Sequence, residues 1–110
     1  MIQRLSSKFV VDLILQEARL HLASVYIRHR GDPIAGAVYV AEIHSYNECY
    51  LYQLSTDITN QRFWFDLTGA IKEPDVDSKI ARISESDTDS WIVELDVNHT
   101  SFILNNLCIQ

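Results

Sequence analysis

The sequence predicts one α+β domain, in which two helices pack on a mostly antiparallel sheet of five to six strands in the order α-β-β-β-β-α-β-β. Two segments repeat apolar residues at helical spacing, several others alternate with a period of two, and the middle connections are short. A chain of 110 residues with 47% hydrophobic positions can build one core without disulfides. We therefore expect a single compact domain over residues 1–110.

The first helix follows two serines, Ser6 and Ser7, which are good N-cap residues. The apolar residues after them recur at helical spacing: Val11, Ile14, Leu15, Ala18 and Leu22. From Ala23 the period changes to two. This change predicts a strand that ends at the turn Gly31-Asp32-Pro33.

Three more strands are predicted near residues 36–44, 48–55 and 61–67. Short polar stretches, Ser45–Asn47 and Thr56–Asn60, separate them. Such short connections favour antiparallel hairpins over crossovers.

Pro74 suits the first turn of a second helix. Its buried stripe is marked by three residues: Val76, Ile80 and Ile83. The stretch Ser84–Ser90 is too polar to continue that stripe. Alternation then predicts a strand over Trp91–Val97, a turn at Asn98–Thr100 and a final strand around Phe102–Leu104.

Charge excludes some partners. The net charge is -6, and residues 66–110 carry the whole acidic excess, with three basic against nine acidic groups. Duplex DNA and anionic lipid would be repelled by that half, so nucleic acid is an unfavourable partner. Charged residues interrupt the N-terminal apolar segment, and the two cysteines form no CxxC motif. We expect a cytoplasmic protein with no membrane segment.

Motifs of catalysis are absent from the sequence. The four histidines show no HExxH or i, i+4 spacing, no serine lies in a GxSxG elbow, and three glycines cannot form a phosphate-binding loop. We therefore predict no metal, no cofactor and no catalytic residue, which argues against an enzyme.

Two segments carry a family resemblance. Arg30-Gly31-Asp32 precedes Ala35-Gly36-Ala37-Val38, and Asp87-Thr88-Asp89-Ser90-Trp91-Ile92-Val93-Glu94 follows later. Together they resemble the paired signatures of a small alphaproteobacterial family catalogued as domain of unknown function 1491. The resemblance implies a bacterial cytoplasmic protein and supplies no activity.

The sharpest polar cluster surrounds the Gly31 turn. Arg28 and Arg30, with Asp32 beside them, could hold a phosphate or carboxylate between two guanidinium groups. The structural alternative is that Asp32 caps the turn, Gly31 supplies an unusual backbone angle, and the arginines pair with acidic residues elsewhere. Both interpretations stay open.

Aromatic residues indicate an interface on the middle strands. Four of them are candidates: Tyr39, Tyr50, Tyr52 and Trp64. If both helices cover one face of the sheet, the other face needs a partner, and tyrosine and tryptophan are typical of interfaces. The helices could equally divide between the faces, or the segment Phe102–Ile109 could cover the rings.

Three functions are therefore considered. The first is a non-catalytic interaction module that self-associates or binds another protein through the aromatic face. The second is a small enzyme or ligand-binding protein that holds an anionic metabolite near the Gly31 turn. The third is binding of single-stranded nucleic acid, whose bases would stack on the tyrosines. The negative net charge of the chain disfavours this function.

Overall fold

The structure is a computed structural model, and it describes residues 5–97. Its elements are α1 (Ser7–Leu20), β1 (Ser24–His29), β2 (Val38–Ser45), β3 (Glu48–Thr56), β4 (Arg62–Asp66), α2 (Glu73–Ser86) and β5 (Trp91–Asp96). This order confirms the prediction as far as β5. The predicted turn at Asn98–Thr100 and the strand around Phe102–Leu104 lie outside the described residues.

The five strands form one mixed sheet in the order β1-β5-β2-β3-β4. The two predicted hairpins, β2–β3 and β3–β4, are confirmed as antiparallel pairs. β5 returns after α2 to the middle of the sheet, where it pairs antiparallel with β1 and parallel with β2. The sheet is therefore mostly antiparallel, with a single parallel pair among the strands described.

The two helices lie on opposite faces of the sheet. α1 packs on β1, β5 and β2, and α2 packs on β2 and β3. The core accordingly has two parts: Val10, Ile14, Val40, Val93 and Leu95 lie on the α1 face, and Ala41, Leu51, Val76, Ile80 and Ile92 lie on the α2 face. The alternative in which both helices share one face is therefore wrong, because β2 and β5 are apolar on both sides and each side needs cover.

The first N–H groups of α1 find hydrogen-bond partners in a capping side chain and in a loop. The predicted serine cap is confirmed, since the Ser6 side chain accepts a hydrogen bond from the Phe9 N–H (3.2 Å). The next donors are satisfied by loop carbonyls: Ser7 N–H donates to Ile34 O (3.1 Å) and Lys8 N–H donates to Pro33 O (2.9 Å). The loop after β1 is thereby held against the helix terminus.

Helix α2 extends into the polar stretch that was predicted to lie beyond it. It ends at Ser86, and Ser84 is accommodated within it because its Oγ donates to Ile80 O one turn earlier (2.8 Å). Neither helix within residues 5–97 is long and apolar enough to cross a bilayer.

Candidate functional site

The two signature segments meet at one end of the sheet. Asp32 N–H donates to Asp89 O (2.9 Å), and the indole Nε1 of Trp91 donates to Asp32 O (2.7 Å). We call this contact between residues 30–38 and 87–94 the signature junction. It joins the loop after β1 to the start of β5.

Two glycines allow the close approach at the signature junction. A Cβ atom on Gly31 would lie 2.1 Å from Asp89 O, and one on Gly36 would lie 2.0 Å from the same oxygen. Of the described glycines, Gly69 alone has a positive φ. The unusual backbone angle expected of Gly31 is therefore wrong, and contact distance explains the glycine instead.

Two of the three predicted anion-binding residues, Arg28 and Asp32, are engaged in internal contacts. Asp32 Oδ2 accepts hydrogen bonds from Ile34 N–H (3.1 Å) and Ala35 N–H (2.9 Å), as in an Asx turn. Arg30 follows the end of β1 and is exposed. Within residues 5–97, no hydrogen bond joins Asp32 to Arg30 or Arg28.

Arg28 projects on the α2 face and binds two carboxylates. Its Nη1 donates to Asp77 Oδ1 of α2 (3.1 Å) and to Glu94 of β5. The guanidinium therefore links β1, β5 and α2. These contacts match the structural alternative for Arg28 that the sequence left open.

Strand register separates the four aromatic residues that were predicted to share an interface. Tyr52 lies opposite Val40, so it belongs to the α1 face together with Tyr50 and Trp64. Tyr39 packs with the α2 part of the core. The assumption that all four share a face is wrong, because the odd-numbered residues of β2 share a face with the odd-numbered residues of β3.

A titratable cluster that was not predicted from the sequence lies beside the tyrosines. Glu42 on β2 has no exposed surface, and its Oε1 lies 2.9 Å from His44 Nε2. Its Oε2 is buried with no hydrogen-bond partner among the described residues. The His44 ring packs edge-on against Tyr50, which in turn stacks on Tyr52 (6.1 Å between centroids). Only the i, i+2 spacing of Glu42 and His44 on one strand face could have revealed the pair.

Burial dominates the electrostatics of this cluster. It raises the pKa of Glu42, although the hydrogen bond from His44 opposes the shift. Burial, Glu42 and Asp66 together raise the pKa of Tyr52. Because Glu42 is fully covered, no solute reaches its carboxyl group in this structure, and we assign the cluster a role in packing.

A row of exposed apolar side chains lies on β4 and directly after it. Phe63 (42% exposed) and Phe65 (50%) lie at alternate positions of β4 on the α2 face, and Leu67 (40%) follows directly after the strand. The Leu67 N–H still donates to Leu51 O of β3 (2.8 Å). The two phenyl rings pack edge to face at 6.3 Å. We call these three side chains the β4 row. β4 is an edge strand, which pairs with β3 alone among residues 5–97.

A shallow groove continues the β4 row toward α2. It encloses about 190 Å³ and is lined by Leu51, Leu67, Thr68, Lys79, Arg82 and Ile83. Its lining combines apolar side chains with two cations of α2, Lys79 and Arg82. The exposure of Phe63 and Phe65 was not predicted, because alternation within a single strand does not identify an edge strand.

A larger cavity lies on the α1 face between the start of α1, the loop after β1 and the ends of β3 and β4. It has a volume of about 440 Å³ and is lined by Leu5, Ser7, Ile34, Ala35, Gly36, Ala37, Val38, Leu54 and Arg62. Arg62 is the cation of this lining, and its Nη1 donates to Leu5 O (3.3 Å).

The residues that could bind a metal are dispersed. Among residues 5–97, no three histidine, cysteine, aspartate or glutamate side chains gather in a metal-binding group. Cys49 is a buried free thiol that donates to Ser45 O (3.1 Å). Burial and nearby carboxylates raise its pKa to about 11, so it is a poor nucleophile.

The sequence profile described as "Protein of unknown function (DUF1491)" matches residues 5–105. The chain is a member of the DUF1491 family. The matched range spans both segments of the signature junction. No curated protein matches the chain.

Solved DUF1491 structures share this fold. A crystal structure of a DUF1491 protein from Caulobacter crescentus CB15 is 29% identical, with a TM-score of 0.78 over 86% of this chain and 89% of that chain. An NMR structure of a DUF1491 protein from the same organism is 28% identical, with a TM-score of 0.81 over 94% of each chain. The solution structure of Atu0922 from A. tumefaciens, a structural genomics target, is 18% identical over 98% of each chain, with a TM-score of 0.76. The likeness to Atu0922 concerns the fold alone.

Proposed function

We propose that this DUF1491 protein is a non-catalytic interaction module of the cytoplasm, and that it binds another polypeptide chain through the β4 row. The observation that carries the proposal is the half-exposed row itself: Phe63 and Phe65 lie on an edge strand, and Leu67 follows directly after it. The surface differs from the one the sequence suggested, since Tyr39 lies on the other face from Tyr50, Tyr52 and Trp64.

Two physical properties support binding at this surface. Large apolar side chains in a continuous row gain free energy when a partner removes them from water, at roughly 25 cal/mol per Å². An edge strand also presents backbone N–H and C=O groups in the spacing of another strand. A partner strand would therefore gain main-chain hydrogen bonds and apolar contact together. The buried free thiol of Cys49 fits a reducing compartment.

The test is photo-crosslinking in the native cell. A benzoylphenylalanine replaces Phe65 in one variant and Phe9 in the control, which has a similar exposure (48%) on α1. We expect a cross-linked polypeptide adduct from position 65 and none from position 9. Equal yields from both positions, or no adduct from either, would contradict the proposal.

A second candidate, binding of a small anion, is favoured by the 440 Å³ cavity. Its apolar lining with the guanidinium of Arg62 suits an apolar molecule that ends in a carboxylate or phosphate. We place the anion-binding site in this cavity and not at the turn of Arg28, Arg30 and Asp32, because Arg28 and Asp32 make internal contacts.

The second candidate is tested by a thermal shift screen of medium-chain carboxylates and phosphates. A true ligand at a hundredfold its Kd adds about 2.7 kcal/mol to the free energy of unfolding. We expect Arg62→Gln to abolish the shift and Arg30→Gln to preserve it. Shifts that survive Arg62→Gln would remove the cavity from consideration.

A further inference from the structure

We propose that the partner bound by β4 is a second copy of this chain, and that the two β4 strands pair antiparallel about a two-fold axis through Trp64. This inference rests on the proposed function and names its partner. It would join two five-stranded sheets into one continuous sheet across the dimer.

The hydrogen-bond pattern of β3–β4 leaves the required backbone groups at the open edge. Leu67 N–H donates to Leu51 O (2.8 Å) and Asp57 N–H donates to Gln61 O (2.9 Å), so odd-numbered residues of β4 point their peptide groups to β3. Because hydrogen-bonded and non-bonded pairs alternate along an antiparallel ladder, the even-numbered residues point theirs away from β3. Trp64 lies at the centre of that outward set.

The sequence of β4, Arg-Phe-Trp-Phe-Asp, is complementary to itself when it runs antiparallel. Pairing centred on Trp64 places Arg62 opposite Asp66 of the second copy, twice over. It also places each Phe63 opposite a Phe65, which brings four half-exposed phenyl rings together on the α2 face. Opposite charges and aromatic pairs directly across a ladder are favourable.

Other pairings lose this complementarity. A two-fold axis at Arg62 or at Asp66 would set like charges directly opposite each other, which is unfavourable. The second edge of the sheet, β1, carries a register shift between Ile27 and His29, and such bulges protect an edge against pairing. β4 pairs with β3 without a shift over all five of its residues.

The register is tested by a charge exchange between two variants. Arg62→Asp places aspartates opposite one another in the homodimer, and Asp66→Arg places arginines opposite one another. A mixture of the two variants restores both ion pairs in a heterodimer. Sedimentation velocity from about 10 μM to about 1 mM then measures wild type, each variant and the mixture.

We expect wild type to dimerise, each single variant to dimerise at least about tenfold more weakly, and the mixture to regain the wild-type constant. Circular dichroism checks that each variant is folded. A wild-type monomer at about 1 mM, or a mixture no better than its components, would overturn the inference.

A second measurement does not depend on charged variants. Peptide mapping of the adduct from benzoylphenylalanine at position 65 should locate the crosslink within residues 62–66 of another copy. An adduct with a different protein would overturn self-pairing while supporting the proposed interaction module. Absence of any adduct would contradict both.

Discussion

The signature junction yields the sharpest stability prediction, for Gly36→Ala. A Cβ at position 36 would lie 2.0 Å from the carbonyl oxygen of Asp89, whereas carbon and oxygen in contact normally stay about 3.3 Å apart. The obstacle is backbone, so no side-chain rotation relieves it. The loop and the start of β5 must separate by more than about 1 Å.

That separation strains the hydrogen bonds across the signature junction. Inserting a methyl group into a packed site costs about 1–3 kcal/mol, and weakening the bond from Asp32 N–H to Asp89 O (2.9 Å) adds about 1 kcal/mol. We expect Gly36→Ala to lower the free energy of unfolding by about 3 kcal/mol. For a chain of this length the melting temperature falls by about 13 °C.

The loss in free energy of unfolding is measured by urea denaturation, with tryptophan fluorescence as the signal. Gly69→Ala is the matched control. Gly69 has a φ of +65°, and no atom lies within 4 Å of the position that a Cβ would take there, so its substitution meets backbone strain without a clash. We expect that control to lose about 1 kcal/mol. If Gly36→Ala loses no more stability than Gly69→Ala, close approach does not explain the glycine at position 36.

Three further predictions address single groups. Trp91→Phe removes the indole donor to Asp32 O and should cost about 1–2 kcal/mol in urea denaturation; a change within error would contradict a structural hydrogen bond there. Burial raises the pKa of Glu42 in the folded state, so ionisation of Glu42 destabilises the fold as the pH rises above the ordinary pKa of 4.5. Glu42→Gln should therefore be more stable than wild type at about pH 7 and lose that advantage below pH 4.5. A stability advantage that grows in acid would refute the direction of this shift. In a Cys108→Ser background at about pH 8, Cys49 should react with a disulfide reagent at least about 100-fold more slowly in the folded chain than in the unfolded chain. The reason is that a pKa of about 11 leaves little thiolate in the folded chain. Equal rates would show that the thiol is accessible.

Local rules in the sequence predicted most elements correctly. The serine cap at Ser6, the period of two over β1 and the short connections of the β2–β3–β4 hairpins depend on neighbouring residues alone. The family resemblance also came from local strings, and residues 5–105 match that family. These features are visible in sequence because their causes act over a few residues.

Which residues of different strands share a face of the sheet could not be predicted from such local rules. Alternation assigns residues to two sides of one strand, but the register between strands decides which sides coincide, and it separated Tyr39 from Tyr50. The position of a strand in the sheet is equally invisible locally. β5, the next strand in the chain, pairs between β1 and β2 and not beside β4, so β4 stays at an edge of the described sheet.

The sequence by itself determined the element order as far as β5, because caps, alternation and short connections follow from short-range sterics and hydrogen bonding. Its local strings also indicated the family. Only the tertiary structure decided that Asp32 and Trp91 meet, that Glu42 is buried beside His44, and that Phe63 and Phe65 lie half-exposed on an edge strand. Those facts depend on long-range packing, in which the two helices take opposite faces and no strand among residues 5–97 pairs with the outer edge of β4.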